Sequence, residues 1–393
     1  MKKVKFLSTL AASLLMLTAC SSDEDLTAPR LTAEQAFADS DVEIRLSSGS
    51  KAVTRSSVES NSDGLFEAEG LGIFLLAKDY LNINPSEAPI NWARSGNPTT
   101  SPNFSIKMDN VEANAVFNAD TTATNIVWTD GKTRYYPIGS WYSNRFYGYY
   151  PRVSDANITA TTTQRVARMT IDGTQDIIWG RDHATAPEAY SAYYFRMSQE
   201  NEQEVPQIQF EHKLMRITFT VKAGADPYGS TSSARNMRVK SITLQNVPTV
   251  GYLTIADYAN SENEGTLSFD WTRNLGDLKL LDVNDTPFNE ADPQSLPAVT
   301  DEATKVGQGF LIPVPEVGHH LTVKIKMTDV SGTEFEDVEW PFELELAEGK
   351  TLEAGKSYNI PFTVYGPRDI VVNAKLAQWE DGEEGTFNPR ELN

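Results

Sequence analysis

Two residues carry most of the chemistry this 393-residue sequence offers, a thiol at Cys20 and a guanidinium at Arg55. Cys20 is the single cysteine and follows Leu17-Thr18-Ala19 at the end of an apolar run, with Lys2, Lys3 and Lys5 ahead of it. That run, 6–17, is too short to cross a bilayer, so 1–19 reads as a removed signal peptide. A thiolate is the good nucleophile there and its thioether to diacylglycerol is stable, which makes Cys20 a lipid attachment point. Lipid burial contributes about 0.8 kcal/mol per methylene, so two or more acyl chains hold durably. Arg55 lies among Ser47-Ser48-Gly49-Ser50 and Ser56-Ser57, small polar residues that a protease can bind in extended form. Its ordinary reading is one more exposed arginine.

Other catalytic chemistry is hard to find. The histidines, 183, 212, 319 and 320, sit in no nucleophile-elbow or zinc-protease motif. His319 and His320 are adjacent, and adjacent strand residues point to opposite faces, so no shared metal is expected. His212 reads as a hydrogen-bonded strand histidine. Carboxylates are abundant, as in Glu334-Phe335-Glu336-Asp337, but abundance does not place two acids across a cleft. Asp282, Asn284 and Asp285 match too little of a calcium loop. The sequence therefore predicts no enzyme, no metal and no cofactor. Once Cys20 is acylated, no thiol remains for a disulfide or a cysteine zinc site. Without 1–19 the chain holds 31 basic and 54 acidic residues, a net charge of −23 that excludes nucleic acid as a partner.

The elements that must position these residues are strands. Short runs rich in Val, Ile, Thr, Tyr and Phe recur between turn residues, at 71–77, 146–150, 217–221, 239–244, 321–327 and 358–364. The pattern predicts an all-β chain, and its length predicts two β-sandwich domains, 56–203 and 204–393, after a pro-segment at 20–55. The seam is placed at the polar run Gln199-Glu200-Asn201-Glu202-Gln203-Glu204. From Phe210 onward, apolar residues sit on even positions and move to odd ones at Met215, which a bulge or a crossing between sheets would explain.

Val42-Glu43-Ile44-Arg45-Leu46 alternates, so Val42, Ile44 and Leu46 are expected to face a core. A cut after Arg55 would free that strand, leaving an apolar groove and two unpaired sheet edges. Cutting after Arg45 would split the strand, and cutting after Arg30 would leave it attached. A groove of this kind accepts a strand from another subunit. The candidate donor is 369–377, where Ile370, Val372, Ala374 and Leu376 share one face, although it reads equally as an ordinary strand of its own domain. Burying three aliphatic side chains contributes roughly 5 to 9 kcal/mol before ordering costs. The acidic, glycine-rich run at 380–385 is expected to end the last sheet as a solvated terminus.

Leu17-Thr18-Ala19-Cys20 resembles the lipobox of bacterial lipoproteins, and Ser21-Ser22-Asp23-Glu24-Asp25 resembles an acidic tag for surface export. With Ala52-Val53-Thr54-Arg55, Leu71-Gly72-Ile73-Phe74, Arg134-Tyr135-Tyr136-Pro137, Phe146-Tyr147-Gly148-Tyr149-Tyr150-Pro151, Asp176-Ile177-Ile178-Trp179-Gly180 and Phe210-Glu211-His212-Lys213-Leu214, the chain resembles the fimbrillin family of type V pilus subunits. That resemblance implies two transthyretin-like sandwiches, export as an outer-membrane lipoprotein, and removal of the N-terminal segment by an arginine-specific surface protease. It further implies an extracellular fimbrium, homopolymeric or mixed, assembled from subunits by strand exchange. A second reading is a surface glycan-binding lipoprotein that stays anchored and monomeric, with Trp141, Tyr142, Tyr190, Tyr193 and Tyr194 as a sugar platform in place of core.

Overall fold

The computed structural model describes residues 38–50, 55–56, 58–60, 66–80, 90–93, 105–118, 123–138, 142–183, 190–197, 205–226, 228–314, 321–332, 336–345, 351–366, 369–372, 374–375 and 386–391. Its strands in chain order begin with β1 (Asp39–Glu43), β2 (Ser47–Ser50), β3 (Arg55–Ser56), β4 (Val58–Ser60), β5 (Phe66–Tyr80), β6 (Ile106–Asn118) and β7 (Ala123–Trp128). There follow β8 (Tyr135–Pro137), β9 (Tyr142–Tyr150), β10 (Ile158–Ala160), β11 (Gln164–Thr170), β12 (Ile178–Asp182) and β13 (Gln207–His212). The second half holds β14 (Met215–Ala223), β15 (Met237–Pro248), β16 (Val250–Asp257), β17 (Leu267–Phe269), β18 (Leu275–Lys279), β19 (Thr304–Leu311) and β20 (Leu321–Asp329). It ends with β21 (Glu336–Glu345), β22 (Ser357–Gly366), β23 (Asp369–Val372), β24 (Ala374–Lys375) and β25 (Thr386–Glu391). Among the described residues, two short α-helices, α1 (Ala192–Met197) and α2 (Ser232–Arg235), and three 3-10 turns at 155–157, 261–263 and 293–295 complete the regular elements, and the chain is all-β.

The first sheet closes on itself. Its strands run β3-β4-β5-β6-β7-β2-β13-β12-β9, and β9 pairs back onto β5, so seven of them form a ring. Only the β2–β13 rung pattern in this ring is parallel. β5 is the shared wall. Its Leu71, Ile73 and Leu75 point into the ring core with Phe146, Ile178, Ile208 and Phe210. Phe74 and Leu76 point outward into a second core, together with Tyr149 and Trp179. An unbroken apolar run is what a strand buried on both faces requires.

That second core continues through the C-terminal half, where β18-β15-β20-β21-β25-β24-β22-β14-β19 make a ten-stranded sheet with β23 beside β22. Leu281 and Gln308 exchange both backbone hydrogen bonds at 2.9 Å, which draws the two ends of this sheet together. Between the halves lies a four-stranded sheet, β10-β11-β16-β17, in which β11 pairs with β16 from Gln164 to Thr170. Side chains reinforce this junction. Tyr147 donates to Glu264 at 2.8 Å, Arg181 pairs with the other oxygen of that buried carboxylate, and Trp179 Nε1 donates to the Ile255 carbonyl at 2.9 Å. The polar run at 198–204 lies outside the described residues, and β13 beyond it still belongs to the first ring. Sheet membership changes at Lys213 and Leu214, where the apolar parity shifts: β13 pairs with β12, whereas β14 pairs with β19 and β22.

Candidate strand-exchange site

The N-terminal segment enters the ring as a built part of it. Val42, Ile44 and Leu46 are 7%, 2% and 3% exposed and join the ring core, while Asp41, Glu43 and Arg45 between them face solvent. β1 pairs antiparallel with β8, and the Ile44 amide donates to the Arg134 carbonyl at 2.8 Å. The Leu46 carbonyl then accepts from Ile126 at 2.9 Å, and the Ser47 amide donates to the Pro206 carbonyl at 2.9 Å. From Ser47 onward the backbone is held on both sides, antiparallel to β7 and parallel to β13.

This corrects one expectation. The run Ser47-Ser48-Gly49-Ser50 reads in sequence as part of a protease-accessible linker, yet it is the strand that closes the ring. Serine and glycine have weak strand preference, but two flanking ladders of backbone partners override it. No side-chain signal announces such a strand; the signal is its position directly after an alternating segment.

Surface charges tie down the outer face. Lys107 Nζ contacts Asp39 at 2.5 Å, Arg196 on α1 donates to Asp41 at 2.6 and 3.2 Å, and Arg45 pairs with Glu43 at 3.0 Å. The Arg196 hydrogen bond, with help from the Asp41 backbone and the guanidinium charge, holds the Asp41 carboxyl below its ordinary range. Inside, Tyr136 packs against Phe146 and Phe195, and burial beside Tyr190 and Asp182 pushes its hydroxyl well above the usual value. Asp182 accepts the Phe146 amide and lies 3.5 Å from Arg145 Nε.

Arg55 and Ser56 form the two-residue β3, which pairs with β4 at Glu59 and Val58 on the outermost rungs of the first sheet. Cys20, Arg30, Leu376 and Trp141 lie outside the described residues. The backbone of 369–375 is placed: β23 pairs with β22 from Phe362 to Gly366, bringing Ile370 opposite Val364 and Val372 opposite Phe362. Ala374 in β24 pairs with Phe387 in β25. The candidate donor is therefore seated against its own domain in this chain. The expectation that 380–385 ends the sheet fails, because the chain returns as β25 between β24 and β21. The sheet resumes beyond this acidic, glycine-rich run.

The remaining motifs resolve into structure. His212 contacts the buried Asp176, whose other oxygen accepts from the Ile177 amide at 2.7 Å. Asp282 accepts from Asn284 and Thr286, an ordinary turn. Tyr142 is core, and Tyr190 and Tyr194 pack against Phe195, Tyr194 edge-on. Of the aromatic cluster, Tyr193 is the exposed member among the described residues, at 45%. No three His, Cys, Asp or Glu converge among the described residues, and no described helix is long and apolar enough to cross a membrane.

A family model described as fimbrillin-like matches residues 92–379, most of the sequence. The chain belongs to the fimbrillin-like family. A comparison with curated proteins gives no significant match. Among solved structures, a candidate cell adhesion protein from Bacteroides uniformis is 16% identical, with 86% of this chain and 99% of that one covered and a TM-score of 0.45. A second from Bacteroides ovatus is 12% identical, covering 89% and 99%, with a TM-score of 0.42. The fimbrial anchor protein Mfa2 from Porphyromonas gingivalis is 11% identical, covering 88% and 99%, with a TM-score of 0.33. Family membership makes this fimbrillin-like chain a fimbrial or adhesion subunit of the cell surface, associated with other subunits in a structural role.

Proposed function

We propose that this fimbrillin-like subunit is exported as a lipoprotein through Cys20, cut after Arg55, and joined to its neighbours by strand complementation. The observation that carries the reading is the place of 38–50. It supplies three core side chains and the one strand, β2, that lies between β7 and β13. Its loss opens the ring along two bare edges above an apolar groove, which no isolated subunit tolerates for long. The replacement comes from a second copy, with Ile370, Val372, Ala374 and Leu376 taking the inward positions. Main-chain ladders supply affinity, and alternation supplies register. To act as donor, β23 and β24 must leave β22, so assembly exchanges one set of rungs for another.

Cleavage at Arg55 needs only the β3–β4 rungs to open, because β3 is the end strand of its sheet. An Arg55→Ala precursor is expected to keep its N-terminal segment and its lipid and to remain outside fibres. Intact mass and N-terminal sequencing of surface protein check this. Shedding and normal assembly of the variant would sink the proposal.

A further inference from the structure

The resident N-terminal strand is gripped unevenly. Its first half places Val42, Ile44 and Leu46 in the ring core. The next inward position belongs to Ser48, 3% exposed, with Thr124 of β7 as its partner on one side and Ile208 of β13 on the other. Thr124 is fully buried. Neither the Ser48 hydroxyl nor the Thr124 hydroxyl has a hydrogen-bond partner. A hydroxyl stripped of water without a replacement weakens the fold, and a serine side chain offers almost no apolar area in return. Ser47 and Ser48 are therefore held mainly by backbone ladders, with one long hydrogen bond of 3.4 Å from the Ser47 hydroxyl to the Pro206 carbonyl, whereas the stretch from Val42 to Leu46 is also held by buried apolar side chains.

The weakly gripped half is the one next to Arg55. Before a cut, the chain continues through it into β3 and β4. After a cut, it becomes a free end, and strands fray from free ends where side-chain burial is least.

We propose that strand exchange runs from the cut: an incoming strand from a second copy first pairs with Thr124 and Asn125 of β7 and with 207–210 of β13, displaces Ser47–Ser50, and only then replaces Leu46, Ile44 and Val42. This rests on the strand-complementation reading above. With Ile370 at the place of Val42 and the same chain direction, Leu376 falls at the place of Ser48. An aliphatic side chain then meets Ile208 where the resident offers an unpaired hydroxyl, so the entry point itself favours the newcomer. The polar Ser47-Ser48-Gly49-Ser50 sequence is thus a foothold left for the exchange.

The test uses full-length protein cut after Arg55 in vitro with its N-terminal fragment still seated. A fluorescent synthetic peptide of residues 369–377 is added, and fragment release is timed. Ser48→Val, which fills the position and removes the hydroxyl, is expected to slow release about tenfold. Ser48→Ala, a milder change that keeps the fold safe, should slow it about two- to threefold. Ile44→Ala, which loosens the seat as a whole, should speed release in the absence of peptide while leaving the slowing by the Ser48 variants in place, since that residue leaves after the committed step. Fast release from Ile44→Ala with no slowing in either Ser48 variant places the entry at the Asp39 end and overturns the direction. A peptide that leaves the fragment seated in every protein, wild type included, overturns strand complementation by 369–377 and this inference with it.

Discussion

The two closed regions of the molecule are sealed by opposite ends of the chain. The N-terminal ring is completed by β2, which comes from the first 50 residues, and the C-terminal sheet is completed by β24 and β25, which come from the last 20. The difference lies in how each seal is connected. β2 hangs on a segment that runs through Arg55 and ends in two rungs with β4, so one peptide bond separates it from the body. β24 follows β23 after one residue, and β25 begins at Thr386 and pairs with both β24 and β21. Both regions are self-complemented; under the processing proposed at Arg55, the first seal comes off and the second stays.

Paired truncations in the two cores break or sharpen this comparison. Phe362→Ala, at a 1% exposed position of β22, is expected to destabilise the chain by about 3 to 5 kcal/mol whether or not Arg55 has been cut. Ile44→Ala is expected to cost about 2 to 5 kcal/mol in the precursor and nothing once the strand has been exchanged, because its site is then filled by another copy. Denaturant unfolding of precursor and assembled protein separates the two. An Ile44→Ala deficit that persists in the polymer would mean the strand never leaves.

A smaller effect distinguishes the C-terminal region by pH. Lys305 on β19 is pushed down to about 8, chiefly by burial, with the Arg216 charge adding and Asp285 opposing. Its folded value lies below the ordinary 10.5, so between about pH 8 and 10.5 the unfolded chain binds more protons. This contribution to stability therefore rises with pH across that window and is flat below it. Lys305→Met should flatten the window and raise stability at pH 7 by up to about 1 kcal/mol, because the side chain is only half buried and solvent screens it. Thermal melts from pH 7 to 10.5 read it, and an unchanged slope in the variant refutes the assignment.

The smallest effect falls on the seal itself. Asp41→Asn removes the exposed pair with Arg196 and should weaken seating of the N-terminal strand by less than about 1 kcal/mol. Because the folded pKa of Asp41 is depressed, the contribution is complete above the ordinary carboxylate value and disappears as pH falls through the lowered one. It should also fade in high salt, and fragment release at low and high ionic strength measures it.

Much of this was legible in residue order, for identifiable reasons. Alternation at Val42, Ile44 and Leu46 marks the buried face, because a segment with core on one side and solvent on the other buries only one parity. The shift at Met215 marks the passage between sheets. What escaped was long-range pairing. Nothing in Gln164–Thr170 announces β16 as its partner, and nothing in Ser47–Ser50 announces β7 and β13, since backbone groups are the same in every residue. β25 was hidden by the glycines and acids before it, which resemble an ending only when the strand beyond is not seen.

The shared four-stranded sheet has a mechanical consequence. In a fibre joined by the exchange proposed above, tension entering at the N-terminal groove and leaving through 369–375 would cross the molecule through the β11–β16 ladder, Trp179 and the Glu264 junction rather than along a tether. Such a link would carry load through paired backbone, and a fibre of such links would bend first at the exchanged strands between them.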